Sequence, residues 1–323
     1  MHMSDALVSA PVFAATAAAS AVLLGVAVRK VGRSENSAGR ERILPLMGVM
    51  GAFVFAAQMI NFAIPGTGSS GHIVGGILLS AILGPWAAFL TLASVLVVQC
   101  MVFADGGLLA LGCNILNMAA LSCLVAYPLV FGPLVRKRMT GGRIAVASLL
   151  SSVLALLLGA FAVTAETEAS GITALPFSRF LMFMLPIHLV IGIGEGLATC
   201  AVLCVVRRGK PELLASAGER SGPVRRIGIT LAAFAAAAIL LGGVFSRVAS
   251  SLPDGLEWSI ERAAEKTGPE PADRIHKAAE NVRNRTALMP DYDTSAAGVI
   301  GSGSIILLVL GLSCVLRGRQ KSS

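Results

Sequence analysis

The chain has 323 residues, of which 55% are apolar and 14% are charged, and its mean hydropathy is +0.79. A soluble domain carries about 25% charged residues, so the composition excludes an ordinary soluble enzyme and a disordered chain. The net charge of +8 does not indicate nucleic acid as a partner, because the basic residues cluster between apolar runs. The composition therefore predicts an all-α, polytopic membrane protein.

Apolar runs occur along most of the chain, and most approach the ~20 residues with which a helix crosses a bilayer. The runs are 9–29, 43–64, 73–83, 85–103, 107–135, 143–164, 177–206, 226–248 and 296–316. The run 73–83 is short, so it is either a partial or tilted span or a continuation of its neighbour across Gly84-Pro85. The sequence thus permits eight or nine membrane helices.

Charge placement favours nine helices. Four clusters, 29–42, 136–143, 207–226 and 317–321, hold 18 of the 26 Lys and Arg. Such residues concentrate on the cytoplasmic side of a membrane. All four clusters reach that side only if 73–83 crosses separately and the N-terminus is outside. We therefore expect a nine-helix bundle with the N-terminus outside and the C-terminus inside, in which 258–285 forms a helical segment outside.

The first apolar run is interpreted as a retained helix, because no basic residues precede it as they would in a signal peptide. Met1 is expected to stay, since His2 is too large a second residue for aminopeptidase trimming. The Met1 amine, the His2 amide and His2 Nδ1 can then form two fused chelate rings around one ion. A further imidazole would complete a square-planar nitrogen set, which is typical of Ni(II) or Cu(II).

His72 is the best-placed source of that imidazole. It follows a glycine-rich loop on the same predicted side as His2, at the start of a predicted helix. The alternative is that His2 occurs by chance in a solvated terminus. The loop matches GxGxxG, but without a strand and a βαβ unit it does not indicate a nucleotide site. The chain has no P-loop, so ATP hydrolysis would have to come from another chain.

Polar side chains in or beside the predicted spans are further candidates. They are costly in lipid and usually face the bundle interior or a cavity. They could support the metal ligands or line an ion path, whereas the alternative is interhelical hydrogen bonding that fixes packing. This group contains Asn61, Asp105, Asn114, His188 and Glu195, with Gln58 and Asn117.

Several separated motifs together resemble, in order, the M-type substrate-binding component of energy-coupling factor transporters for nickel and cobalt. They are 1–7 (MHMSDAL), 68–72 (GSSGH), 83–86 (LGPW), 105–107 (DGG), 111–118 (LGCNILNM) and 192–196 (GIGEG). The PDGLE sequence at 253–257 resembles the small N-type partner of that family. The resemblance covers about 1–206 and 225–316. It implies a seven-helix M-type part, 1–210, fused to a two-helix N-type part, 211–323.

The resemblance also implies how such a chain works. Met1, His2 and His72 would bind the transported ion, with no resident cofactor and no catalysis. A transmembrane coupling protein and a pair of cytoplasmic ATPases would be its partners in the cytoplasmic membrane. Many relatives begin MHIPDG where this chain has MHMSDA, a departure that leaves the ligands intact but bears on metal preference. Nitrogen donors accept both Ni(II) and Co(II), so the choice between them stays open.

Two other function classes compete with this interpretation. A self-sufficient metal channel or secondary carrier would need no ATPase. A membrane-embedded enzyme is disfavoured because the sequence has no HExxH motif, no ordered Ser/His/Asp set and no haem-ligating histidine pair. The segment 250–295 is not expected to supply primary ligands, because Asp254 and Glu257 are hard oxygen donors.

Overall fold

The computed structural model describes residues 1–33, 37–214, 227–264, 274–292 and 296–318. These residues form packed helices and a small antiparallel hairpin, β1 (Phe62–Ile64) and β2 (Ser69–Gly71). The helices are α1 (Ala10–Arg33), α2 (Ser37–Gln58), α3 (Gly76–Leu83), α4 (Pro85–Phe103), α5 (Leu111–Val135), α6 (Gly141–Ser170), α7 (Phe177–Gly209), α8 (Ile227–Gly243), α9 (Gly255–Ala263), α10 (Arg274–Thr286) and α11 (Ala297–Gly318).

The predicted all-α membrane architecture is confirmed. Among the described residues, six helices are long and apolar enough to cross a membrane, namely α1, α4, α5, α6, α7 and the segment Gly228–Val248 that contains most of α8. The apolar parts of α2 and α11, Ile43–Gln58 and Ala297–Gly311, are shorter. The count of nine crossings stays a prediction, because α3 has only eight residues.

The short run 73–83 does not form a full span by itself. Eight residues at ~1.5 Å each rise about 12 Å, less than half of a hydrocarbon core about 30 Å thick. All eight residues of α3 are buried, and α3 packs against α4, α5 and α2. Gly84, with a φ of 79°, lets the chain turn from α3 into α4. The hairpin and 72–75 connect α2 to α3, and Gln58 and Glu195 bind the backbone of this connection.

The N-terminal segment lies at the opposite end of the bundle from the basic residues in the last turns of α1 and α7. The N-terminal segment joins the end of α6 through a hydrogen bond from Ser9 N to Ser170 Oγ (3.1 Å). A cleft at the other end is lined by Lys30 and Gly84, which places the end of α1 beside the turn between α3 and α4. Arg207 lies in the last turn of α7, more than 25 residues after the start of that helix. Which end faces outside stays a prediction.

The two C-terminal apolar helices are part of the same bundle. α11 packs along α2, α4 and α8, and α8 packs along α2. The backbones of Gly242 and Gly298 touch where α8 and α11 cross, since a Cβ on Gly298 would lie 2.5 Å from Gly242. Small residues allow this close approach between membrane helices. The polar connection between these helices contributes α9, which packs on α7, and α10. The predicted helical stretch 258–285 is thus divided between α9 and α10, and 265–273 lie outside the described residues.

Candidate metal site

The first eight residues run into the bundle. Met1 is 5% exposed, and Met3 and Val8 are fully buried. Met3 N donates a hydrogen bond to Asn114 Oδ1 (2.8 Å), and Gly107 N donates to Met3 O (2.8 Å). The segment therefore lies on the loop between α4 and α5 and on the start of α5. This burial excludes the alternative of a solvated terminus.

The structure brings Met1, His2 and His72 together. The Met1 amine nitrogen lies 3.4 Å from His72 Nε2, and the two imidazoles stack with ring centroids 5.3 Å apart. With metal–nitrogen bonds of about 2.0 Å, adjacent donors of a square plane lie about 2.8 Å apart. The amine and His72 Nε2 are thus close to the spacing of adjacent ligands. His2 Nδ1 faces Asp105 Oδ1 instead (3.2 Å). This nitrogen would have to turn in order to share an ion with the amine and His72.

Both imidazoles are held in the neutral form that a metal ligand requires. Burial lowers the pKa of His72 to about 3, and the neighbouring Met1 amine and His2 add to the effect. Burial also lowers the pKa of His2, although Asp105 opposes that shift. At neutral pH each ring therefore carries one lone pair. No metal-induced loss of a histidine proton is needed.

Asp254, from the segment between α8 and α9, contacts the Met1 amine. Its Oδ2 lies 2.5 Å from the amine nitrogen. Burial alone would raise the pKa of Asp254, but its ion pair and hydrogen bond with the amine bring the net pKa below the usual range. Asp254 Oδ1 accepts hydrogen bonds from Leu256 N and Glu257 N (2.8 Å each), and Glu257 completes a capping box at the start of α9. The PDGLE sequence thus forms a helix cap that also faces the N-terminus.

The glycine-rich loop closes over this site. Gly66 and Gly68 have φ values of 77° and 74°, which lets the hairpin turn tightly before it reaches His72. Ser70 N donates to Pro253 O (2.8 Å), so the hairpin edge holds the PDGLE segment in place. Trp258 Nε1 donates to the carbonyl oxygen of residue 67 (2.9 Å) on the same turn. The loop joins the two parts of the chain.

Three of the five polar residues predicted to support the ligands contact either the N-terminal segment or the residues just after His72. Asp105 faces His2, and Asn114 binds the Met3 backbone, with Nδ2 donating to Met3 O (3.2 Å). Glu195 accepts the backbone N–H groups of residues 74 and 75 (2.8 and 3.0 Å), just after His72. Each of these contacts fixes a chain segment that carries a predicted ligand.

The other two predicted residues have different surroundings. Asn61 lines the cavity beside the ligands, and its carbonyl oxygen accepts Ser250 N (2.8 Å). His188 is buried, and its Nδ1 donates to Met184 O within α7 (2.8 Å). Among the described residues, His188 Nε2 has no hydrogen-bond partner. These two residues shape the surroundings of the site and do not hold its ligands.

Two residues that the sequence interpretation missed contact the ligands or their neighbours. Gln99 Oε1 lies 3.2 Å from His2 Nε2, and Tyr292 OH donates to Asp105 Oδ2 (2.6 Å). Gln99 could have been found, because it is a polar residue inside the apolar run 85–103. Tyr292 gave no local signal, because it lies 187 positions from Asp105.

The side chains alone do not form a conventional metal site. Among the residues that the structure describes, no three His, Cys, Asp or Glu side chains gather closely enough to hold an ion. A nitrogen-rich site here therefore needs the backbone amine and amide at the N-terminus. A cavity of about 380 Å³ adjoins these donors and is lined by both parts of the chain, including His2, His72, Asp105 and Asp254.

Comparison with known families identifies the kind of protein. Residues 2–213 match the family described as cobalt uptake substrate-specific transmembrane region. The chain belongs to this family. Residues 229–318 match the PDGLE domain, so the predicted fusion of an M-type part to an N-type part is confirmed.

The relatives are described as metal transport proteins. A protein of Archaeoglobus fulgidus, provisionally described as a fused nickel transport protein, is 31% identical over 84% of this chain and 86% of its own length. The fused nickel transport protein of Rhodobacter capsulatus is 28% identical over 98% and 96%. The cobalt transport protein of Geobacter sulfurreducens is 27% identical over 85% and 81%.

A solved structure shares the fold. The crystal structure of a truncated transition metal transporter superposes with a TM-score of 0.55 at 28% identity. The match covers 64% of this chain and 99% of the transporter. The family and fold therefore place this chain among multi-pass membrane proteins of cobalt and nickel transport.

Proposed function

We propose that this chain is the substrate-binding component of an energy-coupling factor importer for Ni(II) or Co(II). A transmembrane coupling protein and a pair of cytoplasmic ATPases would drive transport across the cytoplasmic membrane. The M-type part, 1–210, carries the ligands, and the N-type part, 211–323, covers them. Family membership and the descriptions of the relatives support metal transport. The absence of a P-loop from the sequence supports separate ATPases.

The ion is held by the Met1 amine, the His2 amide nitrogen, His2 Nδ1 and His72 Nε2. The observation that carries this assignment is the 3.4 Å approach of the amine to His72 Nε2 in a buried site beside neutral imidazoles. Binding requires the amine to leave Asp254 and lose its proton, and His2 Nδ1 to turn from Asp105. The amide proton leaves as well, so binding releases protons and weakens at acid pH.

An insertion tests whether the terminal amine is a ligand. Placing one Ala between Met1 and His2 keeps every side chain but moves the imidazole one residue along. The terminus then has four nitrogens of its own and leaves no position for His72. We expect such a chain to lose uptake of Ni(II) and Co(II) in cells that express all partners, although the purified protein can still bind metal. Unchanged uptake would contradict the terminal-amine site.

His72→Ala tests the fourth ligand by isothermal titration of the purified full chain with Ni(II). We expect affinity to fall by about 100-fold or more, because losing a ligand costs at least as much as losing an outer partner, about 10- to 100-fold. Ser304→Ala is the control, since the Ser304 hydroxyl donates to Ile300 O within α11 and does not line the cavity beside the proposed ligands. Equal affinities in all three proteins would remove His72 from the site.

A further inference from the structure

The buried side chains of Gln58 and Gln99 form a hydrogen-bonded relay from Val74 O, just before α3, to His2. Gln58 Nε2 donates to Val74 O (2.8 Å), and Gln99 Nε2 donates to Gln58 Oε1 (2.7 Å). Gln99 Oε1 then faces His2 Nε2 at 3.2 Å. Gln58 is 4% exposed and Gln99 is 1% exposed. Both side chains are therefore largely shielded from bulk water.

The direction of every hydrogen bond in this relay follows from its first member. The Val74 carbonyl oxygen can only accept, so the Gln58 group that faces it must be the NH2. The Gln58 oxygen then faces Gln99 and must accept from the Gln99 NH2. The Gln99 oxygen is left toward His2 and can only accept. The His2 Nε2 that faces it must therefore carry the proton.

A proton on Nε2 determines where the lone pair of His2 lies. A neutral imidazole has one N–H and one lone pair, so the lone pair of His2 is on Nδ1. Nδ1 is the nitrogen that can share an ion with the Met1 amine and the His2 amide. Asp105 Oδ1, another acceptor, lies 3.2 Å from Nδ1. Two facing acceptors repel each other, so Asp105 does not hold this unprotonated Nδ1, and the nitrogen can turn toward an ion.

We infer that Gln58 and Gln99 are positioning residues that fix His2 as the Nε2–H tautomer and keep Nδ1 free for the transported ion. This inference rests on the proposed function, since it assigns a role to residues behind a proposed ligand. The partner of a metal-binding histidine generally fixes both its tautomer and its orientation. Here that partner is a glutamine whose own orientation comes from another helix, α2.

The relay is held by rigid elements at both ends. Val74 O belongs to the segment before α3, and Glu195 of α7 binds the N–H groups of Val74 and Gly75. Gln58 is the last residue of α2, and Gln99 lies in the last turn of α4. Reversing either amide would place two oxygens or two NH2 groups against each other. The protein therefore has one favourable arrangement of this relay.

Gln99→Met tests the inference, because it removes the acceptor and keeps much of the side-chain volume. The metal-free full chain, labelled with ¹⁵N-histidine, is compared with the unmodified chain by NMR at pH 7.5, where the shifts of Nδ1 and Nε2 distinguish the tautomers. We expect His2 to be protonated at Nε2 in the unmodified chain and to populate both tautomers in Gln99→Met. Ni(II) affinity, measured by isothermal titration, is expected to fall by about tenfold.

Three further variants make the test specific. Gln99→Glu keeps an acceptor toward His2, and its carboxyl group when protonated still donates to Gln58 Oε1, so the Nε2–H tautomer is expected to persist. Gln58→Met releases the Gln99 amide and is expected to mix the tautomers again. Ser94→Ala, which removes a side-chain hydrogen bond to Leu90 O within α4, is the matched control and is expected to change neither measurement.

The outcomes separate the inference from the proposed function. If His72→Ala abolishes Ni(II) binding while both glutamine-to-methionine variants keep the Nε2–H tautomer and the unmodified affinity, the relay has no positioning role. If His72→Ala binds as the unmodified chain does, the proposed site itself is wrong. A tautomer change in Gln99→Met and Gln58→Met together with weaker binding supports the inference. If Gln99→Met does not fold, Gln58→Met and Gln99→Glu decide by the same two measurements.

Discussion

At the scale of single residues, the Met1 amine has two partners that favour different protonation states of its nitrogen. Asp254 stabilises the protonated amine at 2.5 Å, whereas the lone pair needed beside His72 exists only when the amine is deprotonated. The ion pair with Asp254 therefore joins the two parts of the chain through the atom that the proposed site assigns to the ion. His2 is in a similar position, since its Nδ1 faces Asp105, whereas the proposed site assigns that nitrogen to the ion.

The histidines give the metal-free protein a defined dependence on pH. The pKa of His72 is about 3 in the folded chain and near 6.5 when exposed. Below about pH 6.5 the unfolded chain gains a proton that the folded chain does not, so the free energy of unfolding falls as pH falls. The contribution of His72 is fully present above pH 6.5 and is lost between about pH 6.5 and pH 3, at up to about 1.4 kcal/mol per pH unit.

His72→Gln is expected to flatten this dependence. Its melting temperature in detergent, measured without metal between pH 7.5 and pH 4.5, should fall less steeply than that of the unmodified chain. His2 contributes in the same direction, because burial also lowers its pKa, so part of the slope should remain. Parallel curves for the two proteins would contradict a buried, neutral His72.

At the scale of elements, helices α5 and α6 leave a space that the Met1 side chain fills. A Cβ on Gly159 of α6 would lie 2.7 Å from Met1 Cε and 3.1 Å from the backbone oxygen of Asn117 in α5. Only a residue without a side chain leaves this space free. This packing fixes the position of the Met1 side chain and therefore that of the Met1 amine.

Gly159→Val is expected to displace Met1 and to weaken Ni(II) binding by about tenfold or more, as loss of an outer support does. Gly142→Val is the matched control in the same helix, because no atom lies within 4 Å of a Cβ at Gly142. Isothermal titration of both full-length variants measures the difference. Equal affinity in the two variants would show that the Met1 side chain need not occupy this space.

At the scale of the whole molecule, the candidate site lies at one end of the bundle and the basic last turns of α1 and α7 lie at the other. The site end collects the N-terminus, the hairpin and the PDGLE segment, while α1 and α7 end in basic residues at the other. If basic residues face the cytoplasm, the candidate site opens outside, where the proposed importer would load its ion. The PDGLE segment covers the site on that side.

This orientation predicts that a reporter fused after Ser323 is cytoplasmic. A C-terminal alkaline phosphatase fusion should be inactive and a C-terminal fluorescent protein should be bright, because each works on one side of the membrane only. The matched control is the same pair of fusions after residue 250, which should give the opposite result. An active phosphatase after Ser323 would reverse the predicted orientation and place the site inside.

Much of the fold could be predicted because hydropathy and charge are local properties. The run 177–206 became α7, and 85–103 became α4 with the same bounds. The run 73–83 was harder, since a hydropathy pattern does not show that only Gly76–Leu83 becomes helical. The buried polar backbone before α3 is stabilised by Glu195 and Gln58, which come from other helices.

The sequence by itself determined the membrane class and the family, and it predicts that Met1 and His2 can chelate an ion. Neighbouring atoms in one short segment can chelate an ion whatever the rest of the chain does. Only the tertiary structure decided which residues surround Met1 and His2. Gln99 lies 97 positions from His2, and Asp254 lies 253 positions from Met1. Contacts over such distances depend on how helices pack, because hydrogen bonds act only where folding brings their two atoms within about 3 Å.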